Sequence, residues 1–168
     1  MKGRKGKGSY NKDSALIVAS LKTCANHKDL CKGRLIHANL LTKDLNNMHV
    51  GCALVNMYGK CGEVEKAQEV FDIIPCRNVV MWTSLISGYA QSGFGEEALH
   101  CFAKMRHEGI LPNEVTFLCI LKACGSVGAS DKGKEIHAEI AREGFIERSI
   151  IIGNALIDMY AKCGKLKD

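Results

Sequence analysis

The chain repeats itself, and a chain that repeats at fixed spacing has few folds open to it. Ser20-Leu21-Lys22-Thr23-Cys24 returns as Ile120-Leu121-Lys122-Ala123-Cys124. Lys32-Gly33-Arg34-Leu35-Ile36-His37-Ala38 returns as Lys132-Gly133-Lys134-Glu135-Ile136-His137-Ala138, at the same offset. Gly51 to Lys66 returns as Gly153 to Asp168 with two residues more between the copies, and eight of the sixteen aligned positions are identical. Such a long period is either one duplicated domain or a set of smaller units, and the spacing of apolar residues decides between them.

In residues 79–113, Trp82, Leu85, Ile86 and Tyr89 fall at i, i+3, i+4 and i+7, one stripe of an amphipathic helix. Gly93 and Gly95 interrupt it. Ala98, Leu99, Phe102 and Met105 then form a second stripe that ends at Gly109 and Pro112. Residues 48–78 give the same helix, turn and helix: Ala53, Leu54, Met57 and Tyr58, then Gly62, then Val64, Ala67, Val70 and Phe71, closed by Pro75. One hairpin cannot bury both stripes, but stacked neighbours can. The pattern predicts an all-α solenoid of helix-turn-helix units at 14–47, 48–78, 79–113 and 114–149. A first helix without its second follows at 150–168, and Ala155, Leu156, Met159 and Tyr160 are expected to be partly uncovered there.

Charge is concentrated at one end. Lys2, Arg4, Lys5, Lys7 and Lys12 are unmatched by any acid in residues 1–12, so of 23 basic and 18 acidic residues, 18 of each remain from residue 13 onward. The segment 1–13 reads as a basic disordered tail ahead of a neutral body. It lacks the apolar core of a secretory signal and the Arg- and Ser-rich helix of a transit peptide. A contact with nucleic acid must then rest on where charges stand, not on a surplus. No apolar run approaches the roughly 18 residues of a membrane span, so no membrane is expected as a partner; a small-molecule substrate is not expected either. The nine cysteines include no Cys-x-x-Cys pair. Neither a disulfide framework nor a zinc site is supported, and the thiols read as small reduced hydrophobes.

With the units delimited, their wording becomes specific. Val79 to Asn113 resembles the standard pentatricopeptide repeat. The segments with Leu-Lys-x-Cys followed by Lys-Gly-x-x-Ile-His-Ala resemble the long variant of that repeat. Those with Ala-Leu-x-x-Met-Tyr-x-Lys-Cys-Gly resemble the short variant. Alternation of long, short and standard units is similar to the plant subfamily built of such triplets. The resemblance implies a right-handed superhelix whose first helices line a concave groove. It also implies that the groove binds single-stranded RNA, one base per unit.

Carried over position by position, the resemblance makes Thr83 and Asn113 the base-reading pair of the standard unit, with a leaning to adenine, and Val80 the residue packed on the base plane. In the short unit the pair is Cys52 and Asn78. In the incomplete unit Asn154 stands at the first reading position and leans to pyrimidine. The long units place Val18 with Asn47 and Leu118 with Ser149, and an aliphatic side chain cannot read a base edge, so these units read as spacers. Lys60 and Lys162 stand where the family often sets a lysine against the RNA backbone, although a lysine there also complements a helix C-terminus. The implied role is recognition in organellar RNA processing, C-to-U editing above all, alongside other editing or processing factors in mitochondrion or chloroplast.

No enzyme is expected. His137-Ala138-Glu139 imitates half of the zinc-deaminase signature, but no Cys-x-x-Cys accompanies it and the other copy reads His37-Ala38-Asn39. No phosphate loop, carboxylate cluster or nucleophile triad is present, so no cofactor is expected. Two further readings stay open: a protein-binding scaffold that uses the same groove, and a truncated product without activity of its own.

Overall fold

The computed structural model describes residues 12–40 and 47–164, and among them it holds ten helices and no strand. They are α1 (Lys12–His27), α2 (Leu30–Ala38), α3 (Met48–Lys60), α4 (Val64–Ile73) and α5 (Val79–Gln91). These are followed by α6 (Gly95–His107), α7 (Glu114–Val127), α8 (Ser130–Arg142), α9 (Phe145–Arg148) and α10 (Ile150–Lys162). The first helix takes in Lys12 and Asp13, which the sequence assigned to the tail. The rest of the basic segment lies outside the described residues.

Local chemistry sets both ends of each hairpin. Asn47, Asn78, Asn113 and Ser149 are the N-caps of α3, α5, α7 and α10, and each side chain accepts a backbone N–H of the first turn. Between the two helices of a hairpin the chain turns through a left-handed residue. It is Gly62, Gly93 and Gly128 in the inner hairpins, but Lys28, at φ 53°, in the first.

The helices stack as a solenoid. Along one row α1 lies against α3, α3 against α5, α5 against α7 and α7 against α10. Each of α2, α4, α6 and α8 packs on its own first helix and on the next one. Second helices of neighbouring hairpins reach one another through long side chains, as in the Arg106–Glu139 ion pair. The array is therefore tighter along its first helices. Its continuous core holds Trp82 edge-on to Phe71, with ring centroids 4.6 Å apart, and passes through Phe102 and Phe117 to Phe145. Each large apolar side chain fully buried there contributes roughly 1.5–3 kcal/mol.

The repeated motifs turn out to be contacts between hairpins. His37 Nδ1 on α2 hydrogen-bonds Tyr58 Oη on α3 at 2.9 Å, and His137 on α8 meets Tyr160 on α10 at 3.0 Å. A Cβ on Gly33 would stand 2.4 Å from Met57 Sδ, and one on Gly133 2.5 Å from Met159 Sδ. Lys-Gly-x-x-Ile-His-Ala and Met-Tyr are thus two halves of one clasp.

The face of α10 is partly uncovered, as expected: Leu156 and Met159 are buried against α7 and α8, but Ala155 and Tyr160 are only half-buried where their counterparts Ala53 and Tyr58 are buried. The uncovered side carries Ile157, 61% exposed, whereas its counterpart Val55 is wholly buried beneath the next hairpin.

Candidate nucleic-acid interface

The row of first helices brings the reading positions of successive hairpins to one edge. Each last-position residue caps the following first helix, which packs beside the first helix that carries the fifth position of its own unit. In the short unit the two touch: Cys52 Sγ lies 3.6 Å from Asn78 Oδ1, which also accepts Met81 N–H at 3.0 Å. Asn78 Nδ2 faces the thioether of Met48 at 3.4 Å. Burial pushes the Cys52 thiol above its ordinary pKa, with the Asn78 hydrogen bond opposing it, so the group stays protonated and donates.

The standard unit is built differently. Thr83 is only 7% exposed, and its hydroxyl lies 2.6 Å from the hydroxyl of Thr116 on α7. Thr116 Oγ1 is 2.9 Å from Asn113 Oδ1, which accepts Thr116 N–H as well, also at 2.9 Å. Asn113 N–H donates back to Thr116 Oγ1 at 3.2 Å. Thr83 and Asn113 are joined through a third residue of the next unit, and the sequence reading missed it. An N-cap followed three residues later by a hydroxyl was the available signal for the cap, but nothing in the sequence paired Thr116 with Thr83.

Between first helices the surface opens into two adjoining recesses. One, about 370 Å³, is lined by His49, Cys52, Asn56, Asn78, Val80 and Ser84 among others. The other, about 300 Å³, includes Ala15, Val18, Asn47 and His49. His49 and Lys22 line both; the larger holds Cys52 and Asn78 with His49 and Val80 on its flanks, and the smaller holds Val18 and Asn47 with Ala15 and His49 on its flanks. The second-position residues Val80, Val115 and Ile151 are 55%, 55% and 62% exposed, unusual for aliphatic side chains. Sequence reasoning picked out Val80 alone. His49, Val115 and Ile151 occupy the same place in their units and could have been found by counting two residues from each unit start.

The remaining sites are dispersed. Asn154 is exposed on α10, and its side chain makes no hydrogen bond among the described residues. Lys60 donates to Asn26 Oδ1 at 3.2 Å. Lys162 pairs with Asp158 at 2.7 Å, so its charge is matched within its own helix. Lys22 and Lys122 share one repeat position, and Lys22 is the lysine that lines the recesses.

Other residues singled out by sequence have structural partners. Glu139 pairs with Arg106 and His137 with Tyr160, so the imitation of a deaminase motif is part of the packing between hairpins. Burial raises the thiols of Cys101 and Cys124 to about 11, and both stay protonated at neutral pH. Among the described residues no group of histidine, cysteine and carboxylate side chains is arranged to hold a metal, and no helix is long and apolar enough to cross a membrane.

Comparison with known proteins agrees with the architecture. A model described as PPR repeat family matches residues 77–126, and a PPR repeat model matches 52–79 and 154–168. A chloroplastic pentatricopeptide repeat-containing protein of Arabidopsis thaliana is 41% identical over 153 residues, 90% of this chain and 25% of that protein. A mitochondrial one from the same plant is 37% identical over 162 residues, 96% of this chain and 23% of that protein. The chain thus spans about a quarter of the length of the curated relatives it matches. The crystal structure of the pentatricopeptide repeat protein PPR10 from maize superposes with a TM-score of 0.69 at 19% identity, over 93% of this chain and 23% of that one, and shares the helical fold. The matched residues, 52–126 and 154–168, run from α3 to α7 and onto α10, and the chain belongs to the pentatricopeptide repeat family.

Proposed function

We propose that this chain is a single-stranded RNA-binding repeat module of the type that alternates long, short and standard units. Its place would be the recognition part of organellar RNA processing, most naturally C-to-U editing, with any deaminase supplied by another protein or domain. The observation that carries the reading is the recess between α3 and α5. Apolar or aromatic walls at His49 and Val80 stand either side of the polar pair Cys52 and Asn78. An unstacked base needs that combination, faces to stack on and hydrogen-bonding groups at its edge.

In the standard unit the same roles fall to Val80 and Val115 as walls and to Thr83 and Asn113 as readers. Asn113 Oδ1 is held by the cap, so the amide turns its NH₂ outward as a donor. Lys22 and Lys60 would contact phosphate, whereas Lys162 brings little net charge because of Asp158.

Binding of this chain to adenine-containing and homopolymeric RNA over a salt series tests the reading. Saturable binding that weakens with salt and favours adenine supports it. No binding at low salt overturns it. A salt slope that Thr83→Ala leaves unchanged, with no base preference, would reduce it to attraction for phosphate.

A further inference from the structure

Thr116 stands outside the reading pair, yet it determines which hydrogens that pair can offer. Its hydroxyl has one proton and two lone pairs. One lone pair takes the Asn113 backbone N–H at 3.2 Å. Asn113 Oδ1, 2.9 Å away, has no proton to give, so that contact is satisfied only by the proton of Thr116. The identity of Oδ1 is fixed independently, because Thr116 backbone N–H also points at it from 2.9 Å and the NH₂ end could not accept there. The second lone pair of Thr116 then faces Thr83 Oγ1 at 2.6 Å, and Thr83 must donate. Thr116 is fully buried, so no water competes for these bonds.

The outcome is a pair of fixed polarity. The proton of Thr83 is spent inward, and what remains to a ligand is a lone pair. Both lone pairs of Asn113 Oδ1 are taken, and what remains is its NH₂. Adenine and cytosine carry an amine beside an unprotonated ring nitrogen. Guanine, hypoxanthine and uracil carry a carbonyl beside a ring N–H. In one and the same pose, changing amino for keto reverses both groups and sets acceptor on acceptor and donor on donor.

We infer that Thr116 is a positioning residue that makes the Thr83–Asn113 pair selective for amino bases over keto bases. The inference rests on the RNA-binding reading above and extends it to a residue that touches no base.

The test uses this chain and uridine 12-mers that carry one central adenosine, one central inosine or neither. Adenosine and inosine differ at the edge only in the amino-for-keto change. The wild-type chain should bind the adenosine oligomer more tightly than the other two. Thr116→Val keeps the shape of the side chain but frees the Thr83 proton, and should cut the adenosine-over-inosine ratio by about fivefold. Thr116→Ser should restore it. A buried residue with a merely structural role would lower stability and all three affinities together while leaving the ratio alone. A wild-type preference for adenosine that survives in Thr116→Val overturns the inference and leaves RNA binding standing. Absence of binding to any of the three by the wild type overturns both.

Discussion

Asn113 has two duties, and they can be separated by substitution. As N-cap of α7 it needs an oxygen at Oδ1; as a reader it needs the NH₂ at Nδ2. Asn113→Ala removes both. Loss of the cap costs about 1 kcal/mol, and Thr116 Oγ1 loses the acceptor it holds at 2.9 Å, which costs up to about 1 kcal/mol more. The expected loss is about 1–2 kcal/mol, or roughly 2–8 °C in midpoint for a chain of this size. Asn113→Asp keeps an acceptor in place, adds a favourable negative charge at the helix N-terminus, and replaces the outward NH₂ by a second acceptor. It should leave the thermal midpoint within about 2 °C of wild type while abolishing the preference for adenine. Circular dichroism melts of the three proteins beside their RNA affinities read both effects. Asn113→Asp as unstable as Asn113→Ala, or Asn113→Ala as stable as wild type, would refute the assignment of Oδ1 to the cap.

Other consequences concern the scaffold. Burial first, then the charge of Lys66, with Glu69 opposing, holds His37 below its ordinary pKa of 6.5. The His37–Tyr58 clasp therefore contributes fully above that pH and weakens as pH falls below it, because the unfolded chain takes up a proton the folded chain resists. Melts at pH 7.5 and 5.5 should show a smaller drop for His37→Gln than for wild type. Lys28→Gly should stabilise the first hairpin by about 0.5–1 kcal/mol in urea titrations, since the strain of a left-handed side chain exceeds the added freedom of glycine in the unfolded chain. Iodoacetamide at pH 7.5 should label exposed Cys31 and Cys76 quickly and reach buried Cys101 and Cys124 only on unfolding, as their raised thiols require.

Much of this fold was legible because its signals are local. The stripes of α5 and α6, the glycine between them and Pro112 after them lie within a single unit. The duplicated His37 and His137 were legible as repeat positions, and the structure supplies their partners in the next hairpin. What escaped is what depends on stacking. Thr116 meets Thr83 only when two first helices lie side by side. On α10 Ile157 is exposed where its counterpart Val55 is buried, which the stripe of neither helix specifies. The short helix α9 carries no stripe at all, and Phe145 is held there by Phe117 of another helix, 5.4 Å away between ring centroids. Asp158 was within reach of sequence reasoning, since four residues before Lys162 is helical pairing distance.

Nuclear magnetic resonance of the labelled chain with a uridine 12-mer containing one adenosine shows whether RNA lies along the first helices. Shifts should concentrate at His49, Val80, Thr83, Asn113 and Val115, at the N-terminal ends of α3, α5 and α7. Shifts confined to α2, α4, α6 and α8, or none at saturating RNA, would contradict that placement.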